Sequence, residues 1–321
     1  MRDSVQKILE NSDCLPEVSW KKGPNSSELI LNQKGGKGHM LFYPLFPGIT
    51  LAFVSVNSPN WPESDLNSQI KPLLINYCVL GRSELLLDDG TYVYLKENDF
   101  SVSQQTAQKE YLFPTGHYQG IKLYIEAELL PRDIMEAFEI DFIHLKELYL
   151  KKRPTYINQT EGELASVFQK LWEFYQAPCA FYMKCCTLEL LYKLLTCEIA
   201  PSKTCEFYTA TQVAIAKKAK LLLTADLKKH YPIRLLSQDL SVSETSLKNY
   251  FRGVYGQNIS LYLREIRMNT AAKMLTETDL SIAEIAVEVG YSNQGKFAAV
   301  FRRYFQMNPL EYRRARRLET L

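Results

Sequence analysis

The chain has 321 residues, a length that favours two or three domains. Hydrophobic residues make up 46% and charged residues 23%, which is typical of a globular protein and argues against disorder over most of the chain. The net charge of +2 hides an asymmetry. Residues 213–321 carry 18 basic and 10 acidic side chains, whereas residues 1–212 carry 20 and 26. The sequence therefore predicts two modules with different partners.

Cysteine usage and hydropathy predict a cytoplasmic protein without a membrane partner. The seven cysteines are scattered and odd in number, which favours reduced thiols over a disulfide framework. The first residues lack the apolar core of a secretory signal. The uncharged stretch 40–62 is interrupted by Pro44, Pro47, Gly48 and Pro59, so we interpret it as strands and turns, not a membrane span.

From about residue 49 to residue 126, short apolar runs alternate with turn signals. Asp89-Gly90 lies between two such runs and predicts a hairpin, because glycine supplies the positive φ of a tight turn. Further turns are predicted at residues 97–99 and 114–116. Short strands at this spacing predict a small antiparallel barrel or sandwich, which can hold one small ligand. The glycine-rich residues 34–38 lack P-loop spacing and are interpreted as a mobile loop.

The sequence indicates neither a cofactor nor an enzyme. The four histidines, His39, His117, His144 and His230, form no pair with metal-ligand spacing, although His39 and His117 lie on segments that could meet. Motifs for hydrolases and nucleotide binding are absent. A metal-dependent barrel enzyme would need a ligand cluster that the spacing does not provide, and it is kept as an alternative.

Helical periodicity replaces the strand pattern after Leu129. At least one of the predicted helices must cover the barrel, and a surplus apolar face would serve dimerisation, although core packing explains the same stripe. The segment from Ala200 to Thr204 breaks this pattern and predicts a linker.

The second half contains an internal repeat with an offset of 50 residues. Phe251-Arg252 recurs as Phe301-Arg302, and Tyr262 recurs as Tyr312. Such self-similarity indicates one structural unit used twice. Each unit is predicted as helix, turn and helix: residues 233–240 and 243–254 in the first, 282–289 and 293–305 in the second. Ser243, Ser281 and Asn293 are predicted N-caps, and a connecting helix is predicted over about 259–275.

A helix-turn-helix unit places its second helix in the DNA major groove, and two such helices ~34 Å apart can read successive grooves. The candidate recognition helices carry basic residues that suit phosphate contacts: Lys248, Arg252, Lys296, Arg302 and Arg303. A solvated basic face on a helical bundle is the alternative interpretation, and the duplication of the unit argues against it.

The run from Ser281 to Ala286, followed by Val289-Gly290-Tyr291-Ser292-Asn293, residues 297–303 and residues 308–313, resembles the signature of the AraC/XylS family of bacterial transcriptional regulators. The resemblance covers residues 213–317 and implies a sequence-specific activator that binds double-stranded promoter DNA and RNA polymerase. It implies base contacts by Thr245, Lys248, Asn249, Gln294, Gly295, Lys296 and Ala298. It implies phosphate contacts by Ser243, Arg252, Asn293, Arg302 and Arg303.

Two further features of this half concern the connecting helix and the second recognition helix. Arg267 matches an arginine typical of the family and is expected to brace the two subdomains through a salt bridge. Gly295, Ala298 and Ala299 offer few side-chain hydrogen bonds, so the first recognition helix should carry most base readout.

The first half also resembles known proteins. Phe46-Pro47-Gly48-Ile49, residues 81–84 and residues 113–120 resemble the sensor region of the PchR/YbtA siderophore-responsive branch of that family. The resemblance implies a cupin-like domain that binds a small effector such as a ferric siderophore. Five residues are candidates for lining its pocket, with ordinary core packing as the alternative: Phe53, Trp61, Tyr77, Cys78 and Tyr124.

The predicted fold class is α+β, with an N-terminal cupin-like antiparallel β-barrel plus helices and an all-α C-terminal domain of two helix-turn-helix subdomains. The predicted divisions are residues 1–128 for effector sensing, 129–199 for a helical cover and dimerisation segment, 200–208 for a linker and 209–321 for DNA binding. The leading functional hypothesis is a DNA-binding transcriptional regulator whose activity is controlled by its effector. We also expect the protein to form a homodimer. The alternatives are a cupin-type metal-dependent enzyme fused to a DNA-binding domain, and an architectural DNA-binding protein.

Overall fold

The computed structural model describes residues 17–33, 35–62, 72–87, 89–104, 110–151, 153–197 and 206–318. The chain divides into two compact units, Met1–Thr209 and Ala210–Leu321. The N-terminal unit combines a large antiparallel sheet with helices, and the C-terminal unit is helical. The predicted mixture of an antiparallel sheet domain followed by a helical domain is confirmed.

The described strands of the N-terminal unit are β1 (Val18–Lys22), β2 (Ser27–Gln33), β3 (Gly36–Phe46), β4 (Ile49–Asn57), β5 (Asn60–Pro62), β6 (Leu73–Leu86), β7 (Tyr92–Lys96), β8 (Asp99–Ser103), β9 (Glu110–Leu112), β10 (Tyr118–Ile125) and β11 (Thr155–Gln159). Their order in the sheet is β1-β2-β3-β4-β10-β6-β8-β11, while β7 pairs with β6, and β9 pairs with β5 and β6. Neighbouring strands are antiparallel throughout these pairings.

The turn residues act as the sequence predicts. Gly90 has φ of +79° in the β6–β7 hairpin, and Gly116 has φ of +77° before β10. Asn98 adopts φ of +64° between β7 and β8, a conformation that asparagine tolerates better than most residues. One interpretation is wrong, because Gly36 and Gly38 belong to strand β3, paired with β2, and not to a mobile loop. Lys34, in the same segment, lies outside the described residues.

The helices of this unit follow β10: a 3₁₀ turn at Ala127–Leu129, then α1 (Arg132–Ala137), α2 (Phe142–Leu150), α3 (Gly162–Glu173) and α4 (Ala180–Thr196). Asp141 caps α2 by accepting hydrogen bonds from the backbone amides of Ile143 and His144. Strand β11 interrupts the segment that the periodicity assigns to helices, because residues 155–159 pair with β8. Pairing with β8 determines that these five residues form a strand, because so short a segment shows no hydrophobic periodicity of its own.

Successive side chains of a strand point to opposite sides, so the sheet has two faces. Different elements cover each of them. One face packs against α2, α3 and α4, and its core includes Leu51, Ile121, Phe168 and Leu190. The other face is covered by residues of strands and loops, and its core includes Phe42, Val54 and Tyr118. We call these the helix-covered face and the strand-only face.

A buried carboxyl group gives the N-terminal unit a specific pH dependence. Asp99 is 5% exposed and accepts a hydrogen bond from the backbone amide of Lys96, 3.1 Å away. Burial raises its pKa to about 6, against opposing attraction from Lys96 and Arg82. The folded state therefore binds the proton more tightly than the unfolded chain, and the stabilising contribution of the protonated form is lost as pH rises from about 4 to about 6.

We expect Asp99→Asn to increase the free energy of unfolding by roughly 1–3 kcal/mol at pH 8 and to change it little near pH 4. The amide keeps an oxygen that accepts the Lys96 hydrogen bond and removes the charge that burial disfavours. Urea denaturation at the two pH values measures the difference. Asp89→Asn is the control, since hydrogen bonds from Thr91 lower the pKa of that exposed carboxyl. Equal stability of Asp99→Asn and wild type at pH 8 would contradict the burial argument.

The C-terminal unit contains α5 (Ala210–Ala225), α6 (Ile233–Asp239), α7 (Glu244–Tyr255), α8 (Ile259–Glu277), α9 (Ile282–Glu288), α10 (Gln294–Phe305) and α11 (Pro309–Leu318). The predicted N-caps are confirmed: Ser243 accepts from Ser246, Asn293 from Lys296, and Ser281 forms a capping box with Glu284. No cap or repeat in the sequence predicts α5, which packs against α7.

The 50-residue repeat is also a repeat of side-chain packing. Phe251 lies 4.6 Å from the ring centre of Tyr255 and 5.3 Å from that of Tyr262. Phe301 lies 4.6 Å from Phe305 and 5.4 Å from Tyr312. Each helix-turn-helix unit is therefore tied to the helix that follows it by the same three-ring cluster.

Candidate nucleic-acid interface

The first candidate recognition helix, α7, has one buried face and one polar exposed face. Leu247 and Phe251 are fully buried, whereas Thr245, Lys248 and Asn249 are exposed. The exposed positions recur at the spacing of one helical face, with Arg252 one turn after Lys248 and also exposed. The Lys248 ammonium lies 3.5 Å from Glu244, an exposed pair that solvent screens and that another anion can replace.

The second candidate helix, α10, presents a smaller polar face. Gln294, Gly295 and Lys296 are exposed in its first turn, whereas Ala298 is half-buried. Arg302 and Arg303 are exposed in its last turn. A Cβ built on Gly295 meets only the Asn293 side-chain oxygen, at 3.2 Å, so packing does not require glycine here. An absent side chain leaves the helix surface open for close approach of a ligand.

Ser243 and Asn293 are committed to capping. The Ser243 hydroxyl accepts a hydrogen bond from the Ser246 amide at 3.0 Å and donates one to the Ser246 hydroxyl at 2.9 Å. The Asn293 side-chain oxygen accepts from the Lys296 amide at 2.9 Å. Both side chains are exposed at a helix N-terminus, where backbone dipoles favour an anion.

Arg267 braces the unit by a route other than the expected salt bridge. Its guanidinium donates to the carbonyl oxygens of Leu227 at 2.9 Å and Lys229 at 3.3 Å, and it lies 6.0 Å from the ring centre of Tyr291. These contacts connect the loop before α6 to the turn after α9. An ion pair does join the same regions, between Lys228 and Glu288 at 2.7 Å, and no sequence pattern predicts it.

Arg313 is a second arginine with a structural role. Its guanidinium donates to the carbonyl oxygens of Leu275, at 3.2 Å, and Leu280, which anchors α11 to the end of α8 and the loop before α9. Neighbouring Arg314 is exposed. A single sequence contains no signal that separates the two, because both belong to the arginine-rich residues 313–317.

The five candidate effector-pocket residues do not form one group. Phe53 and Tyr77 lie on the helix-covered face, where Tyr77 stacks on Phe168 at 4.4 Å. Trp61, Cys78 and Tyr124 lie on the strand-only face. Adjacent residues 77 and 78 belong to one strand and so point to opposite sides, which the period-two pattern already implies.

The strand-only face also contains buried polar residues. Lys122 is 6% exposed, shares the face of Tyr118 and Tyr124 by alternation, and holds its ammonium 3.7 Å from the ring centre of Tyr111. Lys122 pairs in register with Asn76, and Asn76 donates to the Ser101 hydroxyl at 3.2 Å. A polar row therefore crosses three strands on this face.

The described histidines, cysteines and carboxylates form no group of three that could hold a metal ion. His39 instead hydrogen-bonds through Nε2 to the Tyr175 hydroxyl, and its Nδ1 lies 3.9 Å from Glu28. None of the helices in the described ranges has the length and apolar composition needed to cross a lipid bilayer.

The caps, the repeated ring clusters and the exposed polar faces of α7 and α10 define a helix-turn-helix protein. A family model described as a helix-turn-helix domain matches residues 236–315. This C-terminal region is a helix-turn-helix domain of the AraC type, as the sequence resemblance predicts.

Known proteins resemble this chain mainly in the same region. The transcriptional activator RhaR of Enterobacter sp. (strain 638) is 28% identical over 102 residues, 32% of this chain and 36% of RhaR. The Msm operon regulatory protein of Streptococcus mutans is 26% identical over 205 residues, 58% of this chain and 74% of that protein. The solved C-terminal domain of AraT from Geobacillus stearothermophilus is 29% identical, covers 32% of this chain and 84% of that domain, and has a TM-score of 0.31. The chain spans about a third of the length of the first curated relatives it matches.

Proposed function

We propose that this chain is a transcriptional regulator that binds specific promoter DNA through α7 and α10 and responds to a small effector bound by its N-terminal unit. The observation that carries the proposal is the exposed face of α7, where Thr245, Lys248 and Asn249 project from a helix whose opposite side is fixed in a core. Threonine, lysine and asparagine side chains are all suited to hydrogen-bonding base edges in the major groove.

In this proposal α7 carries most of the base readout, and α10 contributes mainly phosphate contacts through Arg302 and Arg303. The second helix has Gly295 and a half-buried Ala298 where α7 has hydrogen-bonding side chains, which supports the division. The two helices read adjacent major grooves, ~34 Å apart along the duplex. Selection of duplexes from a randomised library, followed by affinity measurements against salt concentration, tests the proposal. Equal affinity for selected and random duplexes at matched salt would favour an architectural DNA-binding protein.

We expect Lys248→Ala to relax base selectivity and to weaken binding to the selected duplex by roughly 1–3 kcal/mol. Arg302→Ala is the matched comparison, because it removes a cation without a base-reading role. It should weaken binding to all duplexes alike and flatten the slope of log affinity against log salt by ~1. An unchanged base preference in Lys248→Ala, measured by repeating the selection, would exclude Lys248 from base readout.

The N-terminal unit is proposed to hold the effector on the strand-only face of a cupin-like barrel, with Trp61, Cys78 and Tyr124 near the site. The polar row with Lys122 supports an effector with anionic oxygens, such as a ferric siderophore, because a buried ammonium binds such groups strongly. A thermal-shift screen against iron chelates tests this. A chelate should raise the melting temperature of the wild type and not that of Lys122→Met. A stoichiometric metal ion in the purified protein would instead favour a metal-dependent enzyme.

Activation, contact with RNA polymerase and homodimerisation complete the proposal. RhaR is named a transcriptional activator, which supports activation. The outer side of α4 exposes Phe181 and Tyr192, at 68% and 53%, and this apolar stripe supports a dimer interface. Light scattering of the wild type and of Phe181→Ser/Tyr192→Ser measures the dimer. A monomeric wild type at micromolar concentration would contradict it.

A further inference from the structure

The last described residues of the N-terminal unit are clamped to its sheet. Tyr208 forms an isolated antiparallel bridge with Tyr92 of β7, and the two residues exchange amide-to-carbonyl hydrogen bonds of 2.8 Å in both directions. Of the predicted linker, residues 200–208, only residues 206–208 lie within the described residues. The bridge holds these residues against β7, which pairs with β6.

Side chains reinforce this bridge. Tyr208 is only 7% exposed, and its ring packs edge-on against Tyr94, with centres 5.9 Å apart. The Tyr94 hydroxyl donates to buried Glu84 at 2.8 Å, and the Arg82 guanidinium lies 5.2 Å from the Tyr94 ring centre. These groups form a preformed seat for the Tyr208 ring.

The neighbouring residues add further contacts. The Tyr208 hydroxyl hydrogen-bonds to Glu206, and the Arg153 guanidinium lies over the ring of Phe207 at 4.4 Å. Phe207 is still 40% exposed, so this contact is peripheral and can be lost without opening a core. The clamp thus has a single backbone bridge with side-chain contacts around it, a shorter pairing than the ladder of a full strand.

The position of the clamp connects it to the proposed recognition helix. Tyr208 is followed by Thr209 and then by α5, which starts at Ala210. Within the C-terminal unit α5 packs against α7, where Lys220 of α5 lies 5.6 Å from the ring centre of Tyr255. The residue after the clamp therefore leads directly into the helix that supports Thr245, Lys248 and Asn249.

We propose that residues 206–208 form a latch by which the N-terminal unit restrains DNA binding by the C-terminal unit, an inference that rests on the proposed function. With the latch closed, one residue, Thr209, separates the sheet-bound chain from α5. With the latch open, residues 206–208 leave β7, and this one-residue connection between the sheet and α5 is lost. The closed form allows fewer orientations of the C-terminal unit toward DNA, and apparent affinity falls with the fraction of binding-competent molecules. An effector that favours the open form raises affinity.

A disulfide between the bridged positions tests the latch directly. Directly opposed, hydrogen-bonded residues of an antiparallel pair have Cα atoms ~5.5 Å apart, within the range that a disulfide spans. The probe is the duplex that the wild type selects from the random library. We expect oxidised Tyr92→Cys/Tyr208→Cys to bind it at least about fivefold more weakly than the same protein after reduction. Tyr208→Cys alone, treated with the same oxidant, controls for native thiols such as exposed Cys185.

A second variant opens the latch instead of closing it. Tyr208→Ala removes the ring from its seat and should bind the duplex more tightly than the wild type, whereas Tyr208→Phe keeps the ring and should bind like the wild type. Leu80→Ala, an exposed truncation on β6 outside the latch, is the control. Amide hydrogen exchange at position 208 measures opening without DNA, and it should be slow in the wild type and fast in Tyr208→Ala.

The outcomes separate the latch from the proposed function. Failure of the wild type to select any duplex contradicts the proposed function. Normal selection, with equal or tighter binding by the oxidised double variant, contradicts the latch alone. Absence of the disulfide after oxidation, or fast exchange at position 208 in the wild type, contradicts the Tyr92–Tyr208 pairing on which the latch depends.

Discussion

Gly290→Ala is expected to destabilise the second helix-turn-helix unit by about 3 kcal/mol or more and to abolish DNA binding at 37 °C. Gly290 has φ of +81°, a conformation that costs any residue with a Cβ. A Cβ at this position would lie 2.2 Å from the Leu227 carbonyl oxygen and 2.6 Å from the Arg267 guanidinium. The backbone turn and the Arg267 brace would both have to move.

Urea denaturation followed by circular dichroism measures this loss. Gly295→Ala, five residues later, is a matched control for stability. Gly295 is helical, and its Cβ would meet only the Asn293 side chain, so alanine should stabilise the protein by up to ~1 kcal/mol. If the two variants have the same denaturation midpoint, the close approach of Leu227 and Arg267 to Gly290 does not constrain the unit.

Phe301→Ala is expected to cost about 3–5 kcal/mol, the usual range for deleting a fully buried phenylalanine ring. Phe301 is 0% exposed and contacts the rings of Phe297, Phe305 and Tyr312 at centre distances of 5.7, 4.6 and 5.4 Å. Its loss leaves a cavity between α10 and α11, which the surrounding helices fill only in part. Phe251→Ala should have a similar effect in the first unit, because Phe251 occupies the equivalent position.

Tyr304→Ala is the control on the same helix, since Tyr304 is 43% exposed and its truncation should cost less than ~1 kcal/mol. Thermal unfolding monitored by calorimetry separates the two cases. A Phe301→Ala variant as stable as Tyr304→Ala would show that the ring cluster does not hold the repeat together.

Local chemistry explains why the C-terminal unit could be predicted in detail. Ser243, Ser281 and Asn293 cap their helices through contacts within three residues, so the sequence signal and the structural cause are the same. The repeat of Phe251 and Phe301 supplied an internal comparison that a single sequence rarely contains. Helix α5 has neither a predicted cap nor a repeated partner, so the sequence contains no local signal for it.

Long-range contacts explain the errors. Strand β11 is short, and its pairing depends on a partner elsewhere in the sheet, for example Ser101 opposite Ile157. The sequence predicts a carboxylate partner for Arg267, whereas its guanidinium donates to the carbonyl oxygens of a loop about 40 residues away. Residue types do not indicate where that loop lies or where its backbone oxygens point, so this contact could not be predicted from the sequence.

The sequence by itself determined the two modules, their opposite charges and the duplicated helix-turn-helix unit, because these depend on composition, periodicity and capping within a few residues. The tertiary structure decided which polar and aromatic groups meet. It stacked Tyr77 on Phe168, buried Lys122 beside Tyr111, and placed the Tyr208 ring against Tyr94. Contacts of this kind join residues distant in the chain, and only the pairing register and the packing of the folded protein bring them together.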